Sequence, residues 1–251
     1  MRAIITGASS GIGFELAREL AKRGWALALL ARRTDLLEGL ARELPQAVAV
    51  GCDVTDAASV RDAVRRAEMI LGGPFDLAVA NAGVSIHGHA AKFKLDNAEQ
   101  IIRVNVLGMM YLFDAVIPSM VERRSGRFAG VASLAGLRGL PTSSVYSASK
   151  AAMQAFLEAV RVELAPHGVG VTIVNPGFVA TPMIEKTPFV PFLMKADRAA
   201  RIIADGLERG KRVIEFPRPT SLAMRVARFL PDALYDRIVA PAARRKEKAK
   251  Q

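Results

Sequence analysis

The chain has a single cysteine, Cys52, so no disulfide can form within it, and a reducing compartment suits it. Histidine is scarce too: of three, His87 and His89 stand two residues apart, with no third ligand at a spacing a metal site needs. No metal is expected, and both histidines are read as surface or pocket-lining residues. No uncharged apolar run reaches the roughly 18 residues of a membrane span, and Met1 and Arg2 lead straight into A-I-I-T-G without an apolar segment of signal-peptide length. A soluble, cytoplasmic protein is expected. Linkers rich in Pro, Gly or Ser are missing, as are internal repeats, so residues 1–251 are expected to form one domain.

Apolar residues make up 51% of the chain, enough for a full core at this length. Positive charge is in excess at +11, and it is uneven: Arg218 to Gln251 hold nine Lys/Arg against three Asp/Glu, a net +6. Such an end attracts phosphate, anionic lipid or nucleic acid, unless it is simply a solvated tail.

Apolar runs at Ala3–Thr6, Ala26–Ala31, Ala47–Cys52, Leu77–Ala80, Arg127–Ala132, Val169–Asn175 and Arg212–Phe216 read as strands separated by helix-length segments. That alternation predicts an α/β doubly wound fold, a seven-stranded parallel sheet with helices on both faces. Ligands of such sheets bind outside the carboxyl ends of the strands. The chemistry-bearing residues should therefore stand there.

The first strand runs into T-G-A-S-S-G-I-G, in which Gly7, Gly11 and Gly13 allow a tight turn and leave helix-start N–H groups for a pyrophosphate. The second strand ends in Arg32 and Arg33, where a site for the unphosphorylated dinucleotide would carry an acid, and two cations suit a 2′-phosphate. Further on, Tyr146 and Lys150 lie four residues apart on one helical face. A phenol beside an ammonium is moved toward the working range of a general acid/base.

Together, T-G-x-x-x-G-x-G, Asn81-Ala82-Gly83, Ser133 thirteen residues before Tyr146, Lys150 and Pro176-Gly177 make the chain resemble the short-chain dehydrogenase/reductases over about residues 1–216. The resemblance implies a Rossmann fold and a carbonyl–alcohol oxidoreductase, with NADP(H) preferred and NAD(H) possible. It places Gly7, Ser9, Ser10, Gly11, Ile12 and Gly13 around the cofactor, with Asp53 and Val54 at the adenine, Asn81, Ala82 and Gly83 beside them, and Pro176, Gly177 and Thr181 near the nicotinamide. Asp53 has a plainer use as the cap of a helix starting near Asp56. Ala80 stands where the family usually has a second Asn. In the catalytic set Ser133 would bond the substrate oxygen and Tyr146 would pass its proton. Lys150 would lower the tyrosine pKa and hold the nicotinamide ribose, and Asn105 would hold a water. In the resembling family the helix read here from Asp96 to Glu122, interrupted by Gly108, and the one after it commonly form the dimer interface, so the resemblance implies a homodimer or homotetramer.

Two segments carry less from the family. The Pro182–Lys195 loop is rich in apolar residues, among them Met183, Ile184, Phe189, Phe192 and Leu193, and is equally a lid over an apolar substrate, an interface or a short buried helix. Residues 217–251 form an extension in which Leu222, Val226 and Phe229 or Leu230 recur at helical spacing. That stripe is expected to pack on the domain, with a neighbouring subunit or a peripheral membrane contact as alternatives. The substrate expected is an apolar ketone or a 3-oxoacyl compound, and no nucleic acid is expected. The rival functions are a non-catalytic nucleotide sensor and a membrane or nucleic-acid adaptor working through the basic tail.

Overall fold

Strands that are apolar on both sides are stable only between two covered faces, and these strands are so placed. The computed structural model describes residues 1–185 and 190–248, with side chains up to residue 241. Its strands are β1 (Arg2–Thr6), β2 (Ala26–Ala31), β3 (Ala47–Gly51), β4 (Leu77–Ala80), β5 (Gly126–Val131), β6 (Val169–Pro176) and β7 (Val213–Phe216). They form one seven-stranded parallel sheet in the order β3-β2-β1-β4-β5-β6-β7. The order reverses between β1 and β4, and a crevice opens at such a switch point.

Alternate strand residues feed two cores. On one face Ile4, Ala28 and Leu30 pack with helices α3 (Ala57–Leu71), α5 (Gly108–Glu122) and α6 (Ser144–Leu164). On the other, Ile5, Leu27 and Leu29 pack with α1 (Gly11–Lys22), α2 (Thr34–Glu43) and α7 (Ala196–Glu208). The doubly wound architecture expected from the alternation of strands and helices is the one observed.

The pattern expected from Asp96 to Glu122 is realised as α4 (Leu95–Ile102), a π turn (Arg103–Leu107) and α5. The irregularity is thus in the turn ahead of Gly108. Gly108 itself serves close approach, since a Cβ there would lie 3.0 Å from the Val54 carbonyl oxygen. By length and composition the run is apolar enough to cross a bilayer, with a mean hydropathy of 1.6. Its residues Met109, Leu112, Val116 and Met120 are nevertheless buried in the sheet core.

The extension forms α8 (Arg218–Phe229) and α9 (Asp232–Lys248). Here the expected packing is overturned: Leu222, Val226 and Phe229 point away from the domain and are exposed. The helix is anchored through its other side, where the Ser221 hydroxyl and the Arg225 guanidinium donate to Glu215 at the end of β7. Polar anchoring on the inner side leaves the apolar stripe outward. Phe189, part of the apolar loop, lies outside the described residues.

Candidate active site

Three glycines shape the turn after β1. Gly7 and Gly11 have φ of +66° and +62°, conformations that cost a side-chain-bearing residue strain. Gly13 is required by space, since a Cβ there would sit 2.4 Å from the Asn81 amide nitrogen and 2.6 Å from the Gly7 carbonyl oxygen. The turn after β4 is tied to this one. Thr6 Oγ1 accepts from the backbone N–H groups of Asn81 and Ala82, each at 3.1 Å, and the Asn81 amide donates to the Thr6 carbonyl at 2.9 Å. The N-A-G segment and the glycine turn are therefore one rigid frame at the switch point.

At the end of β2 the Arg33 guanidinium reaches across to this frame, donating to the hydroxyls of Ser9 at 2.9 Å and Ser10 at 3.1 Å. The Ser10 side chain makes no capping bond to α1. Asp53 does not cap the following helix, since Asp56 does so by accepting from the Ala58 N–H at 2.9 Å. The Asp53 carboxylate instead accepts from the Thr55 N–H and hydroxyl. The Thr55 N–H, with help from the Thr55 hydroxyl and the nearby Arg32 charge, holds it below the usual carboxylate range against the effect of burial. Burial pushes the neighbouring Cys52 thiol up to about 11, so it is no thiolate at neutral pH.

Ser133 follows β5 and is buried. Its Oγ donates to the Pro176 carbonyl at 3.3 Å and accepts from the Ala135 N–H at 3.1 Å. Tyr146 and Lys150 come one turn apart from α6, with the Lys150 Nζ 5.7 Å from the Tyr146 ring centre. That Nζ is buried and donates to the Val131 carbonyl at 2.8 Å. Burial pushes the ammonium down to about 7 and pushes the phenol up from its ordinary value, the latter opposed by the hydrogen bond with Ser133. The expected lowering of the tyrosine pKa by Lys150 is therefore not what this geometry produces. Desolvation favours the neutral form of both groups.

Asn105 lies in the π turn, fully buried behind the site. Its amide donates to the Val84 carbonyl and the Ser149 hydroxyl, both at 3.0 Å, while its Oδ1 accepts from the Val84 N–H at 2.8 Å. Both amide protons are used within the protein, so the side chain braces the β4 turn against α6.

These elements enclose a continuous cleft of about 660 Å³. Along its walls lie Gly7, Ser9, Ser10, Gly11, Ile12, Arg32, Arg33, Asp53, Val54, Asn81, Ala82, Gly83, Ser133, Tyr146, Lys150, Pro176, Gly177 and Thr181. Gly13 and Asn105 support it from behind. His87 is brought to the wall, its Nδ1 2.9 Å from the Ser143 hydroxyl, whereas His89 caps a short turn. Among the described residues no cluster of metal-binding side chains occurs. A dinucleotide fits the donor set: a glycine turn at a helix start, an arginine held to that turn and a carboxylate at the adjacent strand end.

Sequence reasoning missed one wall. Thr220 and Met224 of α8 and Val239 of α9 line the same cleft, beside Met183, Ile184, Leu134 and Phe178. The contact that holds α9 there is Tyr235, whose hydroxyl donates to the Gly139 carbonyl. Arg138 stacks 4.5 Å above the Tyr235 ring and pairs with Asp232 at 2.6 Å. The only signal for this was the i, i+4 pair Tyr235 and Val239 opposite the more obvious stripe.

A family model described as short chain dehydrogenase matches residues 1–188. An uncharacterized oxidoreductase of Myxococcus xanthus is 40% identical over 240 residues, spanning 93% of this chain and 94% of that protein. An alcohol dehydrogenase from the archaeon Thermococcus sibiricus, solved with 5-hydroxy-NADP, superposes with a TM-score of 0.78 at 31% identity, over 86% of this chain and 94% of that one. The 3-ketoacyl-(acyl-carrier-protein) reductase of Brucella melitensis, complexed with NADH, gives a TM-score of 0.81 at 29% identity, over 88% of this chain and 98% of that one.

Proposed function

The chain belongs to the short-chain dehydrogenase family, and from that premise we propose that it is an NADP(H)-preferring reductase of an apolar ketone or a 3-oxoacyl-type substrate. That it is a nicotinamide-dependent dehydrogenase/reductase acting on a small molecule follows from the family. The observation that carries the finer reading is the convergence of Ser133, Tyr146 and Lys150 on the cleft that also holds the glycine turn and Arg33. A bound nicotinamide supplies the hydride. The Ser133 hydroxyl donates a hydrogen bond to the substrate carbonyl oxygen and orients it. The Tyr146 hydroxyl, kept protonated by burial, gives its proton to that oxygen as the carbonyl carbon is reduced. Lys150, held by the Val131 carbonyl, lies at the ring of Tyr146 and would supply donors to a cofactor ribose. Arg32 and Arg33 line the same cleft just past β2, and a guanidinium there would bind a 2′-phosphate with paired donors.

An apolar substrate suits a cleft whose wall includes Leu134, Phe178, Met183, Ile184, Met224 and Val239. Exposed small residues on α6, namely Ala152, Ala155 and Ala159 beside Val162, favour close helix packing in a homodimer or homotetramer. Screening NADPH consumption against aliphatic and cyclic ketones, 3-oxoacyl thioesters and polar aldehydes tests the reading. Turnover of the apolar carbonyls is expected; turnover confined to polar aldehydes would contradict the substrate, and none at all would favour a nucleotide sensor.

A further inference from the structure

The helices α8 and α9 have two working sides. Inward, Met224 and Val239 wall the cleft, Ser221 is bonded to Glu215, and Tyr235 is bonded to the Gly139 carbonyl. Outward, Leu222, Val226 and Phe229 of α8 are 66%, 55% and 84% exposed, and Leu234 and Ile238 of α9 are 46% and 58% exposed. At about 100° per residue, the three α8 side chains fall within roughly 60° of one another, and Leu234 and Ile238 are one turn apart. The result is an outward apolar stripe on each of two successive helices whose inward sides are already engaged.

Charge decides what covers it. Arg218 lies on the flank of the α8 stripe, Arg228 and Arg237 are exposed nearby while Arg225 is paired with Glu215, and the chain from Arg218 on carries nine cations against three anions. A second copy meeting this face about a two-fold axis would oppose two patches of net positive charge. Phosphates alone would use the arginines and leave Phe229, Leu222 and Ile238 in water. An anionic bilayer satisfies both parts, taking the apolar stripe at the acyl boundary and the cations among the headgroups.

We propose that the outer face of α8 and α9 docks this protein on an anionic phospholipid surface. Docking places the cleft wall made by Met224 and Val239 one helix away from the lipid. On the proposed function, which only this last point rests on, an apolar substrate would reach the cleft from the bilayer. The docking itself stands or falls independently of the substrate.

The full-length protein sedimented with vesicles of phosphatidylcholine alone, and of phosphatidylcholine with phosphatidylglycerol, tests this. Binding to the mixed vesicles is expected, weakening as salt rises, with little on phosphatidylcholine alone. Replacing Arg228 or Arg237 by Ala should weaken it about fivefold each. Val226→Ser with Phe229→Ser should lose most of it while leaving the melting temperature and NADPH binding unchanged, since both side chains are exposed. Equal binding to both vesicles, no binding to either, or full binding by the double serine variant would overturn the proposal. So would conversion of an oligomer to a monomer by that variant, or duplex DNA binding tighter than vesicle binding and indifferent to Phe229.

Discussion

Lys150 is a buried ammonium whose bonds go to a carbonyl and, at 3.5 Å, to the Met153 sulfur. Unfolded, a lysine holds its proton to about 10.5; folded, this one lets go at about 7. Between those values the unfolded chain binds more protons, so the stability contributed by this site rises with pH across the window. Lys150→Met should therefore be more stable than the wild type below pH 7, by on the order of a few kcal/mol, with the margin shrinking toward pH 10.5. Denaturant melts across that range check it; a margin that grows with pH would contradict the assignment. Arg33 makes a different prediction, because its side chain is bonded to the cofactor-side turn and not to the sheet. Arg33→Ala should weaken NADPH binding about 10- to 100-fold, as expected for loss of a charged hydrogen bond. NADH binding should be little changed, and fluorescence titration of both nucleotides separates these outcomes.

At the scale of elements, α8 is joined to the catalytic turn by a polar chain. The Gln154 amide donates to the Ser133 carbonyl at 2.7 Å and to the Asn175 Oδ1 at 3.0 Å, and the Asn175 amide donates to Glu215 at 3.2 Å. Glu215 in turn accepts from Ser221 and Arg225 of α8. Burial raises the Glu215 carboxyl, but the bonds from Ser221, Arg225 and Asn175 outweigh it and leave the pKa low. Glu215→Ala leaves buried donors unpaired and should cost about 1–3 kcal/mol at pH 7. Because the folded pKa is depressed, that cost should diminish as the pH falls below 4.5, the group's ordinary value. The chain also makes Glu215 a positioning residue, so kcat should fall with the melting temperature still well above the assay temperature. An unchanged kcat in the folded variant would show that α8 and Ser133 are uncoupled.

This scale also explains what could be read in advance. Tyr146 with Lys150, and Gly7 with Gly11 and Gly13, work through spacing along one element, which the chain displays directly. Arg33 was visible as a departure from an expected acid. By contrast Thr220, Met224 and Val239 reach the cleft only because Glu215, Gly139 and Arg138 hold α8 and α9 from the inner side. That anchoring is polar, and for α9 it is also distant in sequence, so apolar periodicity pointed to the wrong face. The pKa effects at Tyr146 and Lys150 were equally hidden, because burial, not their separation, sets them.

For the whole molecule, the sheet order determines the rest. Reversal between β1 and β4 brings the Gly7–Gly13 turn and Asn81 together. The strands on the β5 side then deliver Ser133, Pro176 and Thr181 to the same crevice. The crevice wall combines polar and cationic residues such as Ser9, Ser10, Arg32 and Arg33 with apolar ones such as Leu134, Phe178 and Met224. The central claim is that this crevice performs reduction with Tyr146 as proton donor. Its most direct test is NADPH oxidation by wild type and Tyr146→Phe on the best apolar carbonyl, with NADPH affinity measured alongside. A fall in kcat of about 10²- to 10⁴-fold with unchanged NADPH binding is predicted; full turnover by the folded phenylalanine variant would contradict it.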